Sequence, residues 1–297
     1  MRIIRMLFVA FSATALGGAL AISATGSPTA VPAAHPATVH AHLTARFLSE
    51  ARAALVRDLR TPDTAIFPSG TPRPPGVAAS TKTSSTNWAG YADVSTTDGT
   101  FTNVSGSWTV PKLTCTKEDR ITSDWVGLDG FSSGTVEQDG TASQCFEGTP
   151  VYYSWYEMYP AGTVEVGTSV QPGDAISASV ARSGANYTLK LTDSTHSANS
   201  FSTTASCPTS TCLDTSAEWI AERPAFASTG IVPEAQFSSV KFSSASEKAS
   251  GRTSTISGFS GTNYDITCLD STSTYDIVAT SGLTGGNAFT STWKNSY

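Results

Sequence analysis

Short runs in which apolar and polar residues alternate fill the chain from about residue 80 onward. A period of two predicts β-strands with one buried face, and turn-forming residues separate the runs. Examples are FTNVSGSWTV, VYYSWYEMY, AISASVA and YTLKLTD. No convincing long helix interrupts them, so this part of the chain is predicted to be all-β, an antiparallel sandwich or barrel.

The chain before residue 80 has a different pattern. Over residues 39–60, apolar residues such as Val39, Leu43, Phe47 and Leu55 fall at helical spacing, which predicts one amphipathic helix. The Pro/Gly-rich stretch TPDTAIFPSGTPRPPG follows over residues 61–76. It cannot continue a helix or enter a central strand, so we interpret it as an exposed linker.

The first 24 residues have the order of regions that is typical of a signal peptide. Arg2 and Arg5 precede an apolar run over residues 6–22, which the small residues Ser23 and Ala24 close. A membrane anchor is the alternative, but the run is interrupted and barely long enough to span a bilayer. We therefore predict a signal peptide (1–24), a propeptide (25–80) and a secreted β-domain (81–297) without a membrane partner.

Charge is distributed unevenly along the chain. Residues 1–80 carry 7 Lys/Arg and 3 Asp/Glu, whereas residues 81–297 carry 11 and 21, so the net charges are +4 and −10. An acidic body without basic clusters disfavours a nucleic-acid partner and suits a protein that works at low pH, although ordinary solubility explains the charge equally well. The basic leader is expected to act as an intramolecular inhibitor that acidification releases.

All five cysteines lie beyond residue 100, and export favours their oxidation. We predict two disulfides, Cys115–Cys145 and Cys207–Cys212. Cys268 is left unpaired or with a partner that sequence spacing does not reveal.

The residue types limit the chemistry. His196 is the one histidine beyond residue 80, and it lies in a polar stretch with the pattern of a loop. The sequence has no HExxH and no aspartate pair in a DTG motif. Serine, cysteine and metal mechanisms are therefore disfavoured, no cofactor or metal is expected, and carboxylate and amide side chains must carry any hydrolysis.

Five segments occur in an order that resembles the glutamic peptidases, or eqolisins. The segments are TNWAGY (86–91), WVGLDG (125–130), TVEQDG (135–140), YYSWYEMYP (152–160) and TSAEWIAE (215–222). Each is a weak signal alone, but five in order make a strong one over about residues 85–245. The resemblance implies a concanavalin A-like β-sandwich of two bent antiparallel sheets and an acid endopeptidase activity on polypeptide substrates.

The resemblance also implies the site. It places the catalytic pair on Gln138 and Glu218. It carries substrate-binding roles over onto Trp88, Trp125, Asp129, Trp155 and Glu157. Met158 stands where the family motif has a second Trp, which leaves the subsite specificity open. Glu137 is an alternative carboxylate, but strand alternation turns it away from Gln138.

Alternation within the strands is compatible with these roles. It groups Glu157 with the large aromatic residues Tyr153, Trp155 and Tyr159, which suits a cleft better than an ordinary surface. It also puts Glu218 and Trp219 on opposite faces. Without the resemblance, the pattern predicts that Glu218 is a surface strand residue.

The expected function is that of a secreted, monomeric acid endopeptidase in which Glu218 and Gln138 activate water without a covalent intermediate. Low-pH activity is expected because neighbours such as Glu157 and Asp129 must be partly protonated for an acidic cleft to work without repulsion. One alternative is a glycoside hydrolase with Glu157 and Glu218 as its two acids, which leaves Gln138 without a role. Another is a noncatalytic lectin-like module, which gives no reason for a removable leader.

Overall fold

The computed structural model describes residues 80–226 and 230–296, and this part of the chain is all-β. Its helices are two short 3-10 helices, Ser197–Asn199 and Ile256–Gly258. No helix among these residues is long and apolar enough to cross a membrane. The predicted signal peptide, the helix over residues 39–60 and the propeptide up to residue 79 lie outside the described residues.

The strands follow one another with short connections. In chain order they are β1 (Thr81–Ser85), β2 (Trp88–Val94), β3 (Phe101–Thr109), β4 (Arg120–Leu128), β5 (Val136–Phe146), β6 (Thr149–Tyr159), β7 (Val164–Gly167), β8 (Ala175–Ser183), β9 (Asn186–Asp193), β10 (Phe201–Ser206), β11 (Ser216–Glu222), β12 (Ala225–Phe226), β13 (Gly230–Ile231), β14 (Ser239–Ala249), β15 (Arg252–Thr255), β16 (Thr262–Leu269), β17 (Asp276–Thr280) and β18 (Phe289–Trp293). The last strand, β18, ends at Trp293.

Two layers form the sandwich. The first layer has the strand order β18-β17-β16-β2-β11-β4-β5-β6-β7, and the second has the order β10-β9-β8-β3-β14. Strand β14 belongs to both, because residues 239–242 pair with β18 and residues 243–249 pair with β3. The predicted all-β sandwich of two bent sheets is confirmed, with the sheets continuous through β14 and with one parallel pair, β1 with β16.

Tryptophan side chains connect the layers. The Trp219 indole N–H donates to the Ser105 carbonyl oxygen at 2.7 Å, and the Trp108 indole N–H donates to the Thr141 hydroxyl at 3.0 Å. Gly106 makes room for the first contact, since a Cβ there would lie 2.9 Å from Trp219 Cδ1. The main core therefore lies between the layers, and a second cluster of buried hydrophobic residues, which includes Trp88, Trp125 and Trp155, lies on the opposite face of the first layer.

Both predicted disulfides are present. Cys115 is bonded to Cys145 and Cys207 to Cys212, while Cys268 is free and buried. Cys145 lies in β5, so the first disulfide ties the loop after β3 to the strand that contains Gln138.

Four carboxyl groups of the first layer face the second layer and are buried: Asp93, Asp124, Glu137 and Asp139. Burial raises the pKa of Asp124 to about 8, and burial with the nearby charges of Asp129 and Asp214 raises the pKa of Glu137 to about 9. Burial also raises the pKa values of Asp93 and Asp139 well above their ordinary values. The interior of the sandwich therefore favours protonated carboxyl groups.

These groups are expected to make the protein less stable as the pH rises. Their pKa values are higher in the folded than in the unfolded chain, so their contribution is complete below about pH 4 and is lost as the pH rises towards about 8 and 9. Between those limits each group should lower the free energy of unfolding by about 1.4 kcal/mol per pH unit. Urea unfolding at a series of pH values measures the slope.

The variant Asp124→Asn is the matched control, because asparagine has the shape of the protonated acid but does not titrate. Its unfolding free energy should fall less steeply with pH than that of the wild type. A stability that is constant or increases between about pH 4 and pH 8 would contradict the prediction.

Candidate active site

Four adjacent strands bring the predicted catalytic residues into one row. In the register of β11, β4, β5 and β6, Glu218 lies opposite Gly127, Gly127 opposite Gln138, and Gln138 opposite Glu157. Directly opposed residues share a face of a sheet, so all four face away from the core between the layers. The structure thus brings together Glu218, Gln138 and Glu157, which are far apart in sequence.

Gly127 leaves a gap in this row. It separates Glu218 from Gln138 and has no side chain to fill the space between them. A Cβ at Gly127 would lie 2.8 Å from Trp125 Cζ3 and 3.2 Å from Gln138 Cβ, so a larger residue does not fit without movement. Glu218 and Gln138 are therefore separated by a position without a side chain, against which the Trp125 ring packs.

The Gln138 amide is held by its neighbour across the strands. Its Nε2 donates to Glu157 Oε2 at 3.1 Å, and Glu157 Oε1 accepts a hydrogen bond from the Thr163 hydroxyl at 3.1 Å. Because a carboxylate only accepts hydrogen bonds, the contact fixes which end of the amide faces Glu157. Glu157 therefore orients the amide within the row.

Glu218 is fully buried, with an exposed fraction of 0%. The expectation from the pattern alone, a surface strand residue, is wrong, because this face of the first layer carries the second cluster of buried hydrophobic residues, among them Ile220 and Trp125. Burial, together with the charges of Asp129, Glu137 and Asp93, raises the pKa of Glu218 well above its ordinary value. The group therefore favours its protonated form in this environment.

Large aromatic residues occupy the next rows of the same face. Trp125 and Trp155 lie on either side of Gly140 in the register, and a Cβ at Gly140 would lie 2.6 Å from Trp125 Cβ. Trp88 packs edge to face against Trp125 with ring centroids 5.1 Å apart. All three indoles are buried, as is Glu157. Tyr153, Trp155 and Glu157 occupy alternate positions of β6 and so share a face, as predicted.

Glu222 accepts the indole N–H groups of both Trp88 and Trp125. The distances to its carboxyl oxygens are 3.2 and 2.9 Å. Burial raises the pKa of Glu222 to about 7, although these donors act in the opposite direction. Glu222 lies on the face of Glu218 but had no predicted role.

Asp129 lies outside the row. It follows β4 in a left-handed conformation with φ 67°, and it is buried. Its carboxylate accepts backbone N–H bonds from Asp214 at 2.6 Å and Thr215 at 2.9 Å, just before β11 begins. This contact fixes the segment that leads to Glu218, and the substrate-binding role of Asp129 stays a prediction.

Within residues 80–226 and 230–296, two groups of carboxyl and imidazole side chains have the spacing of metal ligands: Asp174, Asp193 and His196, and Asp129, Glu137 and Asp214. In the first, His196 Nδ1 is already 2.7 Å from Asp174 Oδ1. In the second, Arg182 Nη1 pairs with Asp214 Oδ2 at 3.0 Å. In each of the two groups, at least one candidate ligand atom thus already has a hydrogen-bond or ion-pair partner within the protein.

Comparison with known proteins identifies the family of the chain. A model of the peptidase A4 family matches residues 86–293, which is more than half of the chain. The chain belongs to the peptidase A4 family. The resemblance to the eqolisins is therefore confirmed, and the chain is a hydrolase of the glutamic peptidase type. The family match continues beyond residue 245, where the resemblance in sequence was expected to end.

Solved glutamic peptidases have the same fold. Scytalido-glutamic peptidase with a transition state analog inhibitor has a TM-score of 0.60 and 24% identity, covering 70% of this chain and 98% of that chain. SCP-B, an eqolisin in a complex with the tripeptide Ala-Ile-His, has a TM-score of 0.55 and 21% identity over 70% and 98%. Aspergilloglutamic peptidase from Aspergillus niger has a TM-score of 0.50 and 25% identity over 59% and 99%. No curated protein matches the chain in sequence.

Sequence reasoning about this glutamic peptidase missed three contributors to the site. They are Gly127 and Gly140, which make room for neighbouring groups, and Glu222. Strand alternation puts Glu222, four residues after Glu218, on the same face, and that is the signal available in the sequence. Nothing in the local pattern distinguishes Gly127 from a turn glycine, because its importance depends on the strands at its sides.

Proposed function

We propose that this glutamic peptidase is a secreted acid endopeptidase in which Glu218 and Gln138 activate a water molecule. The observation that carries the proposal is the row Glu218–Gly127–Gln138, in which a gap separates a buried carboxyl group from an oriented amide. An amide and a carboxyl group are sufficient for hydrolysis without a metal, a cofactor or a covalent intermediate.

In the proposed reaction, Glu218 takes a proton from the water, which attacks the scissile carbonyl carbon. The Gln138 amide donates a hydrogen bond to the oxyanion that forms. Glu218 then returns the proton to the leaving amine, so that it is first base and then acid.

The protonation state of Glu218 affects the pH range in which the proposed enzyme is active. A buried carboxyl group with a raised pKa is neutral in acid and is ready to donate its proton. Its role as a base requires the carboxylate, which a water molecule in the gap would stabilise by donating a hydrogen bond. Activity at low pH is therefore expected to require a water molecule that binds beside Gln138 and stabilises the Glu218 carboxylate. The buried interior carboxyl groups also favour an acid-stable fold.

The same face is proposed to bind an extended polypeptide. Trp88, Trp125 and Trp155 are buried apolar residues of this face that would line the substrate cleft, and Glu157 orients the amide. Asp129 is retained as a proposed cleft residue, although its contacts are with the chain itself.

The two disulfides favour an oxidising compartment and so support secretion. We take the protein to be a monomer.

The proposal is tested by incubating the matured protein with acid-denatured casein at about pH 3.5, beside a panel of polysaccharides. Cleavage of casein that a metal chelator does not inhibit is the expected result. Cleavage of a polysaccharide but not casein would favour the glycoside hydrolase, and no cleavage of either would favour the lectin-like module.

The leader is proposed to inhibit the enzyme. Thr81 at the start of β1 pairs with Tyr264, Tyr264 with Ala92, and Ala92 with Glu218. The domain therefore begins in the catalytic row, three strand spacings or about 14 Å from Glu218. A basic segment that ends there is well placed to lie over an acidic face.

Residues 25–80, expressed separately, are expected to inhibit the mature enzyme more strongly near neutral pH than in acid. Protonation of carboxyl groups weakens the ion pairs that hold the leader. The inhibition constant should rise about tenfold or more between about pH 6 and pH 3.5. A leader with Arg46, Arg52, Arg57 and Arg60 changed to Gln is the control, and inhibition that is independent of pH would remove the proposal.

A further inference from the structure

Glu222 is a buried carboxyl group with an unusual set of partners. It accepts N–H donors from Trp88 at 3.2 Å, from Trp125 at 2.9 Å and from Asn87 at 3.3 Å. Glu222 is 2% exposed, and the donors are neutral groups that are equally buried. Burial of a carboxyl group costs free energy of folding. The burial of Glu222 between two indole N–H donors therefore indicates a specific role for this residue.

Trp125 connects Glu222 to the gap between the catalytic residues. Its Nε1 is bonded to Glu222, while the opposite edge of its ring lies against Gly127. A Cβ at Gly127 would lie 2.8 Å from Trp125 Cζ3 and 3.3 Å from Trp125 Cε3. The indole therefore extends from Glu222 to the gap, and a rotation of the ring would change the space available there.

We infer that Glu222 is a positioning residue that holds the Trp125 indole against the gap between Glu218 and Gln138. The inference rests on the proposed function, because it takes that gap to be the place of reaction. Glu222 touches neither the water nor the peptide, and its effect on hydrolysis passes through Trp125.

Glutamine is the informative replacement for Glu222. Either oxygen of a carboxyl group can accept an N–H, whether the group is ionised or protonated, whereas the amide nitrogen of glutamine accepts none. Two donors, Trp88 and Asn87, share Oε1 of Glu222, so the amide oxygen of a glutamine should stay with them. Its nitrogen would then face the Trp125 N–H, and Trp125 would lose its acceptor.

The test is a cycle of Glu222→Gln, Trp125→Phe and the double variant, assayed on casein or a derived peptide at low pH. Each single variant should lower kcat by about 10- to 100-fold with a smaller change in KM, because the reacting groups are misplaced. The double variant should be no worse than the poorer single variant. Trp125→Phe keeps a ring but has no N–H, so it tests the contact even if Glu222→Gln fails to fold.

Glu234→Gln is the matched control, since Glu234 is also fully buried and hydrogen-bonds neither Trp88 nor Trp125. It should keep wild-type kcat at a comparable unfolding temperature. The inference is overturned if Glu222→Gln keeps kcat within about twofold, if the effects of the single variants multiply, or if Glu234→Gln loses as much activity.

If the proposed function is wrong, the experiments give a different result from the one expected if only this inference is wrong. In that case Glu218→Gln would remain active, whatever happens at Glu222. The contact itself can be read without turnover in the Glu218→Gln background, as a change in the tryptophan emission on Glu222→Gln that is absent when Trp125 is Phe. No such change would also overturn the inference.

Discussion

Glu218→Gln is expected to lower kcat/KM for protein substrates by about 1,000- to 10,000-fold, since it removes both the base and the acid of the proposed reaction. Glutamine has nearly the shape of the protonated acid that burial favours at this position, so the fold should be retained. The measurement is initial-rate cleavage of a peptide substrate at low pH, with circular dichroism and a urea titration as checks of folding.

Glu137→Gln is the matched control for this prediction. Glu137 is a buried carboxyl group beside Gln138 in sequence, but it lies opposite Leu128 and Met158 and so faces the core between the layers. Its pKa of about 9 keeps it neutral in acid, so a neutral glutamine should leave activity almost unchanged. Loss of activity in Glu137→Gln with retention in Glu218→Gln would mean that the pair is misassigned.

Gln138→Ala should cost about 100- to 1,000-fold in kcat, which is the usual effect of losing one oxyanion donor. The alanine also removes the partner of Glu157 Oε2. Near-full activity of this variant would exclude the amide from the mechanism.

Gly127→Ala is a further change with a large expected effect. Its methyl group would lie 2.8 Å from Trp125 Cζ3 and 3.2 Å from Gln138 Cβ, inside the gap where water is proposed to bind. We expect kcat/KM to fall by about 100-fold or more, because a displacement of about 1 Å at reacting groups has that effect. Crowding should also destabilise the fold by about 1–3 kcal/mol, which urea unfolding measures.

Gly134→Ala provides the comparison for Gly127→Ala. Gly134 lies in the loop between β4 and β5, and a Cβ there would meet nothing within 4 Å. It should change neither activity nor stability noticeably. If Gly127→Ala is folded and fully active, the gap in the row is not where the reaction takes place.

The relation between sequence and structure is clearest in the strands that carry the site. Alternation correctly placed Tyr153, Trp155 and Glu157 on one face of β6, because the period of two is a property of the extended backbone itself. The order of the five motifs identified the family, and both disulfides were predicted. These features depend on residues that are near one another in the chain or on motifs that can be read directly.

The burial of Glu218 was not predictable from its own strand. A carboxylate in a short alternating run is usually on the surface. Here the side chain is fully buried, on a face of the first layer that carries a cluster of buried hydrophobic residues contributed by several strands. The pKa of Glu218 is raised by this environment and by Asp129, Glu137 and Asp93, which come from three other segments.

By itself, the sequence determined the all-β class, the faces of the strands, the disulfide pairs and the family, and with them the two residues proposed for catalysis. Only the tertiary structure decided that Gly127 separates Glu218 from Gln138 and that Glu222 anchors Trp125. The physical reason is that strand register joins residues distant in the chain. It is set by side-chain packing on both faces, while the pattern of any one strand is unchanged by a shift of two residues.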